Sequence, residues 1–224
     1  MGKKVKIFCI PGLGLDRRLF KKLNIPEAQL HFLDWIKAEE KESLKAYAKR
    51  LSDQLPTDEA ISLLGVSLGG IVSIEIAQIR KIEKLFLIST VKNKSEMPGY
   101  MSWLNHLPTK NDTAARLGID ATIMLKPYYD NADSSGNKLF QEMMKSADID
   151  FVNWGIHQVA QWKFKKELQI PFLHIHGTND LIFPIKNIDE AVTIKGGSHF
   201  TVYNEAEKIS KIISREIQRD ILQK

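Results

Sequence analysis

Apolar residues along the chain fall into two recurring patterns. Short dense runs predict strands: KVKIFCI (4–10), LHFLDW (30–35), AISLLGV (60–66), IEKLFLIST (82–90), PFLHIHG (171–177) and AVTIKGG (191–197). Between them apolar positions recur at helical spacing, with Leu44, Tyr47, Ala48, Leu51 and Leu55 inside 42–55 and a second helix over 68–80. The last segment carries Ile209, Ile212, Ile213 and Ile217 as a stripe, and Asn204 and Glu207 stand at the spacing of a helix-starting capping box. The pattern breaks between 92 and 168, where helical pieces punctuated by Pro and Gly contain Trp103, Trp154 and Trp162 and a polar turn, YYDNADSSGNK.

Strands that alternate with helices predict an α/β fold, a mostly parallel sheet of about six strands with helices on both faces. The run 82–90 is apolar enough to be covered on both sides. Residues 1–91 and 169–224 therefore read as one core, and 92–168 as an insertion at its edge. No internal repeat or low-complexity linker interrupts this organisation.

Composition narrows the classes of function. With 43% hydrophobic and 26% charged residues among 224, the chain is of folded type, and no apolar run reaches the length of a bilayer span. The formal net charge is +5, but the cations are interleaved with acids, as in KAEEKESLKAYAKR, which is the pattern of solvated helix faces. Neither nucleic acid nor a membrane is expected as a partner. The one cysteine, Cys9, lies in a strand run and reads as a small core residue, and a reducing, cytoplasmic setting fits it. No zinc-ligand spacing occurs.

The stretch LLGVSLGGIVSIEIA (63–77) carries the chemistry. Gly65-x-Ser67-x-Gly69 joins a strand to a helix, where glycines permit a sharp turn and the serine hydroxyl projects above the sheet at the start of a helix. Serine needs a base, and the base an orienting acid. Of the six histidines, His31 and His174 fall in strand patterns, His106 and His157 in the insertion, and His176 just before a turn glycine. His199, in KGGSHF past the last strand, falls in a loop at the sheet edge that also carries Ser67, where open parallel sheets place their sites. For the acid, HIHGTNDLIFP places Asp180 after the fifth strand, with Asp189 a distant second.

The order Ser67, Asp180, His199, each in a loop after a strand, resembles the α/β-hydrolase family over nearly the whole chain. IFCIPGLGLDRRLF resembles its oxyanion loop, LLGVSLGGIVSIEIA its nucleophile elbow, LHIHGTNDLIFP its acid loop and IKGGSHF its histidine loop. The resemblance implies an oxyanion hole made by the backbone N–H groups of Leu13 and Leu68, and a cap over the site. It also implies a serine hydrolase that cleaves a small ester or thioester, with no cofactor or metal, the small-molecule acyl substrate being the expected partner. Hydrolysis of C–C bonds and lyase chemistry run on the same triad, and a non-enzymatic, ligand-binding member of the fold is the other alternative. The chain departs from the family in having Pro11-Gly12 where His-Gly is common, in lacking a Gly-x-Gly turn after the second strand, and in only eighteen residues between Asp180 and His199. It also begins at what would be the family's third strand.

Trp103, Tyr128, Tyr129, Trp154 and Trp162 offer rings either to wall an apolar acyl pocket or to pack the cap onto the sheet. A dinucleotide-binding reading of Gly12-x-Gly14 with Asp34 fails at Arg17, where close packing of strand and helix requires a third glycine.

Overall fold

The computed structural model describes residues 4–106 and 133–223, together with 116, 119, 120, 122–124, 126 and 130. Six strands form one parallel sheet in the order β2-β1-β3-β4-β5-β6: β1 Val5–Ile10, β2 Ala28–Phe32, β3 Ser62–Val66, β4 Leu85–Ile88, β5 Phe172–Gly177 and β6 Val192–Ile194. Each neighbouring pair is parallel, so each connection crosses over the sheet, and helices α1 Leu44–Ser52 and α2 Leu68–Ala77 lie in two of those crossovers. Helices α3 Ser134–Ser146 and α4 Ile149–Gln161 precede β5, and a short helix α5 Thr201–Asn204 leads into α6 Ala206–Leu222.

Alternation along the strands sorts the core onto two faces. Ile10, Leu63, Leu85 and Leu87 join Leu44, Tyr47, Ala48 and Leu51 of α1 and the apolar body of α2. Ile7, Cys9, Leu64, Val66, Phe86 and Ile88 join Ile209, Ile213 and Ile217 of α6 on the other. Every residue of α2 except Glu75 is buried, which explains why its sequence shows an apolar run and little amphipathic contrast. Glu75 accepts a hydrogen bond from Trp162 Nε1 at 2.7 Å. Among the described residues no helix is long and apolar enough to cross a membrane.

Two expectations are corrected by tertiary contacts. The second strand ends at Phe32, three residues before the predicted boundary, because Trp35 turns inward between Tyr47 and Phe151, with ring centroids at 6.2 and 5.1 Å. No capping box starts α6, where Glu205 stands at the N-cap without a side-chain bond. Asn204 instead donates from Nδ2 to Asp130 Oδ1 at 2.7 Å. Of the rings considered for an acyl pocket, Trp154 stacks on Phe151 and donates to the Glu42 carbonyl at 2.8 Å, while Trp162 stacks on Phe164 at 5.7 Å. Both rings fasten α4 and its C-terminal end to the helices on the sheet. Tyr128, Tyr129 and the Trp103 side chain lie outside the described residues.

Asp130 is the centre of a buried polar knot. Its carboxylate pairs with Lys126, each side chain 2% exposed, and accepts hydrogen bonds from the Ser198 hydroxyl and from Asn204. Lys126 also donates to Asn137 Oδ1 at 3.1 Å and lies over the rings of Phe140 and Phe200, 5.0 and 4.6 Å from their centroids. Burial draws the pKa of Lys126 below its ordinary value, against the pull of Asp130. Removing one partner of such a pair leaves a buried group unsatisfied, so Asp130→Ala is expected to lose about 3–5 kcal/mol of stability. The double replacement Lys126→Met with Asp130→Leu should lose much less. Urea unfolding of both variants measures this, and equal losses would contradict it.

Candidate active site

Ser67 occupies the single position between β3 and α2, with φ 54° and ψ −119°, a strained conformation for a residue with a Cβ. The turn is possible because the residues two positions before and after it, Gly65 and Gly69, carry no side chains. A Cβ on Gly69 would overlap the carbonyl oxygens of Ile10 and Pro11, and one on Gly65 would overlap the backbone of Gly69 and Gly70. Ser67 N–H donates to the Ile88 carbonyl at 3.1 Å, and the Ser67 carbonyl accepts from Thr90 Oγ1 at 2.7 Å. Hydrogen bonds to β4 and to the loop that follows it thus hold the strained turn from below.

Asp180 and His199 arrive from the loops after β5 and β6. Glycines bring these loops into contact, since a Cβ on Gly177 would overlap the Gly197 carbonyl, and Gly196 adopts φ 75°. Asn179 N–H donates to Gly197 O at 2.8 Å, and Gly196 N–H to Thr178 Oγ1 at the same distance. The predicted trio meets: His199 Nε2 lies 2.9 Å from Ser67 Oγ, and His199 Nδ1 lies 2.8 Å from Asp180 Oδ2. A carboxylate only accepts, so the proton sits on Nδ1, and Nε2 is left to accept from the serine hydroxyl. Asp180, not Asp189, makes this bond. Asp189 is held through its backbone, its N–H donating to Glu96 Oε1 at 3.1 Å.

The Asp180 side chain is fully buried. Burial alone would raise its pKa, but the attraction and hydrogen bond of His199, together with the Phe183 backbone donor, outweigh it and hold the carboxyl below the ordinary aspartate range. Its second oxygen, Oδ1, accepts from the N–H groups of Ile182 at 2.8 Å and Phe183 at 2.9 Å. The Phe183 ring meets the His199 ring edge-on, with centroids 5.6 Å apart.

Leu13 belongs to a tight turn closed by Leu15 N–H donating to Gly12 O at 3.1 Å, with Gly14 at φ 72°. Trp35 Nε1 donates to the same Gly12 carbonyl at 3.2 Å, and a Cβ on Gly12 would lie 3.5 Å from Ser67 Cβ. Helix α4 presses Gly155 against the side chains of both Leu13 and Leu68, so these two residues flank Ser67 under one support. Asp34, considered above as a ribose-binding acid, is instead paired with Arg17, whose Nε donates to it at 3.0 Å.

The remaining described histidines have other surroundings. His31 stacks on Phe8 at 4.7 Å, and His174 is buried with Nε2 3.1 Å from the Thr90 carbonyl. His157, on α4, has its pKa lowered by partial burial, and the His106 side chain lies outside the described residues. Sequence reasoning missed four residues around the trio: Trp35, Thr90, Phe183 and His176. The last of these stands with Nε2 3.4 Å from Asp180 Oδ2. The spacing His176-x-x-x-Asp180 across a Gly turn was the available signal.

No protein-family model and no curated protein matches the sequence. Solved structures do match over nearly their whole length. An enol-lactonase from Burkholderia xenovorans LB400 superposes with a TM-score of 0.74 at 16% identity, over 97% of this chain and 92% of its own. A thermophilic esterase from Thermogutta terrifontis gives 0.65 at 19% identity over 99% and 92%, and MenH from S. aureus gives 0.67 at 16% over 98% and 95%. With its six parallel strands, flanking helices and these neighbours, the chain has the α/β-hydrolase fold.

Proposed function

We propose that this protein is a serine hydrolase that cleaves a small ester or thioester through an acyl-enzyme on Ser67. The observation that carries the reading is the unbroken hydrogen-bonded line from Ser67 Oγ through His199 to buried Asp180, at 2.9 and 2.8 Å. In this reading Ser67 attacks the acyl carbonyl while His199 Nε2 takes its proton. The same nitrogen then returns that proton to the leaving alkoxide or thiolate. Asp180 keeps the proton on Nδ1 and stabilises the imidazolium. The N–H groups of Leu13 and Leu68 receive the developing oxyanion, a contribution of roughly 3 kcal/mol for each donor. Water then attacks the acyl-enzyme with His199 again as base.

The acyl chain is assigned to the apolar cluster of Ile119, Ile123, Met144 and Val152, which packs against Leu13 and Leu15 beside the turn. Residues 92–168 act as a cap in this reading, with specificity in that cluster rather than in Trp154 or Trp162. The reaction needs no metal or cofactor, and a cytoplasmic location remains the proposal that the free buried thiol of Cys9 favours.

A fluorophosphonate should label the parent protein at Ser67, and Ser67→Ala should abolish labelling. On p-nitrophenyl esters, Ser67→Ala and His199→Ala should each lower kcat by about 10⁴ or more, and their combination little further, because the residues act as one unit. Multiplying losses would contradict that.

Asp180→Asn should cost on the order of 10⁴ in kcat with the fold intact. It also has a pH signature in stability. A carboxyl whose folded pKa is depressed stabilises the fold fully above the unfolded value of about 3.9 and loses that contribution as pH falls through the lower folded value. The stability difference between parent and Asp180→Asn is therefore expected to shrink below about pH 4. Denaturation curves across the acid range check this.

Met144→Ala and Val152→Ala should shift the preferred ester chain length by about 10- to 200-fold in relative kcat/KM per methylene. Trp154→Ala and Trp162→Ala should lower stability and leave the profile alone. The opposite pattern would move specificity back to the rings.

A further inference from the structure

His176 is fully buried at the end of β5, four residues before Asp180, and the mechanism above leaves it without a role. Its Nε2 lies 2.7 Å from the Phe183 carbonyl. A carbonyl cannot donate, so Nε2 carries the proton. The same nitrogen lies 3.4 Å from Asp180 Oδ2, the oxygen that holds His199, while its N–H is given to the Phe183 carbonyl. Nδ1 finds no partner among the described residues.

The arrangement closes a ring of contacts. His176 holds the Phe183 carbonyl, Phe183 N–H holds Asp180 Oδ1 at 2.9 Å, Asp180 Oδ2 holds His199, and the Phe183 ring packs on the His199 ring. From the other side, the Tyr100 hydroxyl lies within hydrogen-bonding distance of the carbonyls of Leu181 and Ile182, in the same loop. We propose that His176 is a positioning residue for the proposed triad, acting through Phe183 to fix the direction of the Asp180 carboxylate toward His199. The proposal rests on the reading of Ser67, His199 and Asp180 as a catalytic triad.

A space-filling role explains the residue less well. A buried imidazole with one nitrogen unpaired costs stability that a Phe or Met of similar volume would not. The ring is kept for its other nitrogen. Burial also draws its pKa below the ordinary histidine value, although Asp180 and Glu96 pull the other way and His199 adds to the lowering. It therefore stays a neutral donor, and the charge of Asp180 is left to His199. A cation at the same place would divide that carboxylate between two imidazoliums.

Two polar replacements separate the roles. In His176→Gln the amide nitrogen reaches the place of Nε2, whereas in His176→Asn it reaches only the place of Nδ1. On p-nitrophenyl esters His176→Asn should lower kcat about 10- to 100-fold with KM unchanged, the range seen when partners that orient a functional group are removed. His176→Gln should recover most of the rate. In an Asp180→Asn background, His176→Asn should have no further effect on kcat.

Equal kcat for the two folded variants, or an undiminished loss in the Asp180→Asn background, would overturn the proposal while leaving the hydrolase reading intact. Absence of fluorophosphonate labelling in the parent would overturn both. If neither variant folds, ¹⁵N NMR of the parent decides: a neutral His176 with its proton on Nε2 supports the proposal, and a proton on Nδ1 or a charged ring at neutral pH overturns it.

Discussion

The start of α2 touches the end of β1 so closely that a single methyl group on Gly69 would strike the carbonyls of Ile10 and Pro11. This approach sets the turn at Ser67 and places the Leu13 loop beside it. The serine then has to adopt a positive φ, at a general cost of about 1–3 kcal/mol. Its amide and carbonyl bonds to Ile88 and Thr90 hold that conformation against the core. Rigidity at Ser67 is thus a property of the sheet, transmitted through hydrogen bonds to its backbone.

Parallel pairing does the rest of the placement. Because every strand runs the same way, the loops after β1, β3, β5 and β6 all open on one edge, and side chains distant in sequence meet there. A buried carboxylate at that edge would be unfavourable alone. Asp180 is satisfied on both oxygens, by two backbone N–H groups and by His199, so its charge is retained where it is useful.

Features with local causes were legible in the sequence. The glycines around Ser67 and before Asp180 reflect close approach of nearby backbone, and the pair before His199 a positive φ at Gly196 and the Thr201 side chain beside Gly197, so motif and geometry coincide. The strands were legible in number and sense for a similar reason, since burial on two faces leaves a run of apolar residues. What was missed depends on distant partners. Trp35 left its strand to meet Phe151, Asn204 abandoned a cap for Asp130, and Trp154 and Trp162 were drawn onto α1 and α2. The tie between His176 and Phe183 was also hidden, because an imidazole in a strand and a phenylalanine in a loop carry no mutual signal until the turn is folded.

The distribution of the trio along the chain has a temporal consequence. Ser67 lies in the first third of the sequence, whereas Asp180 and His199 follow the last two strands to be made. Chains are synthesised from the N-terminus, and sheets built from distant pairings close late. For most of its synthesis the polypeptide therefore contains Ser67 with neither His199 nor Asp180 beside it, an ordinary alcohol in the crowded surroundings of the ribosome. The hydrogen-bonded line from Ser67 to Asp180 forms only when β5 and β6 join the edge of the sheet, so its assembly marks the completion of the fold.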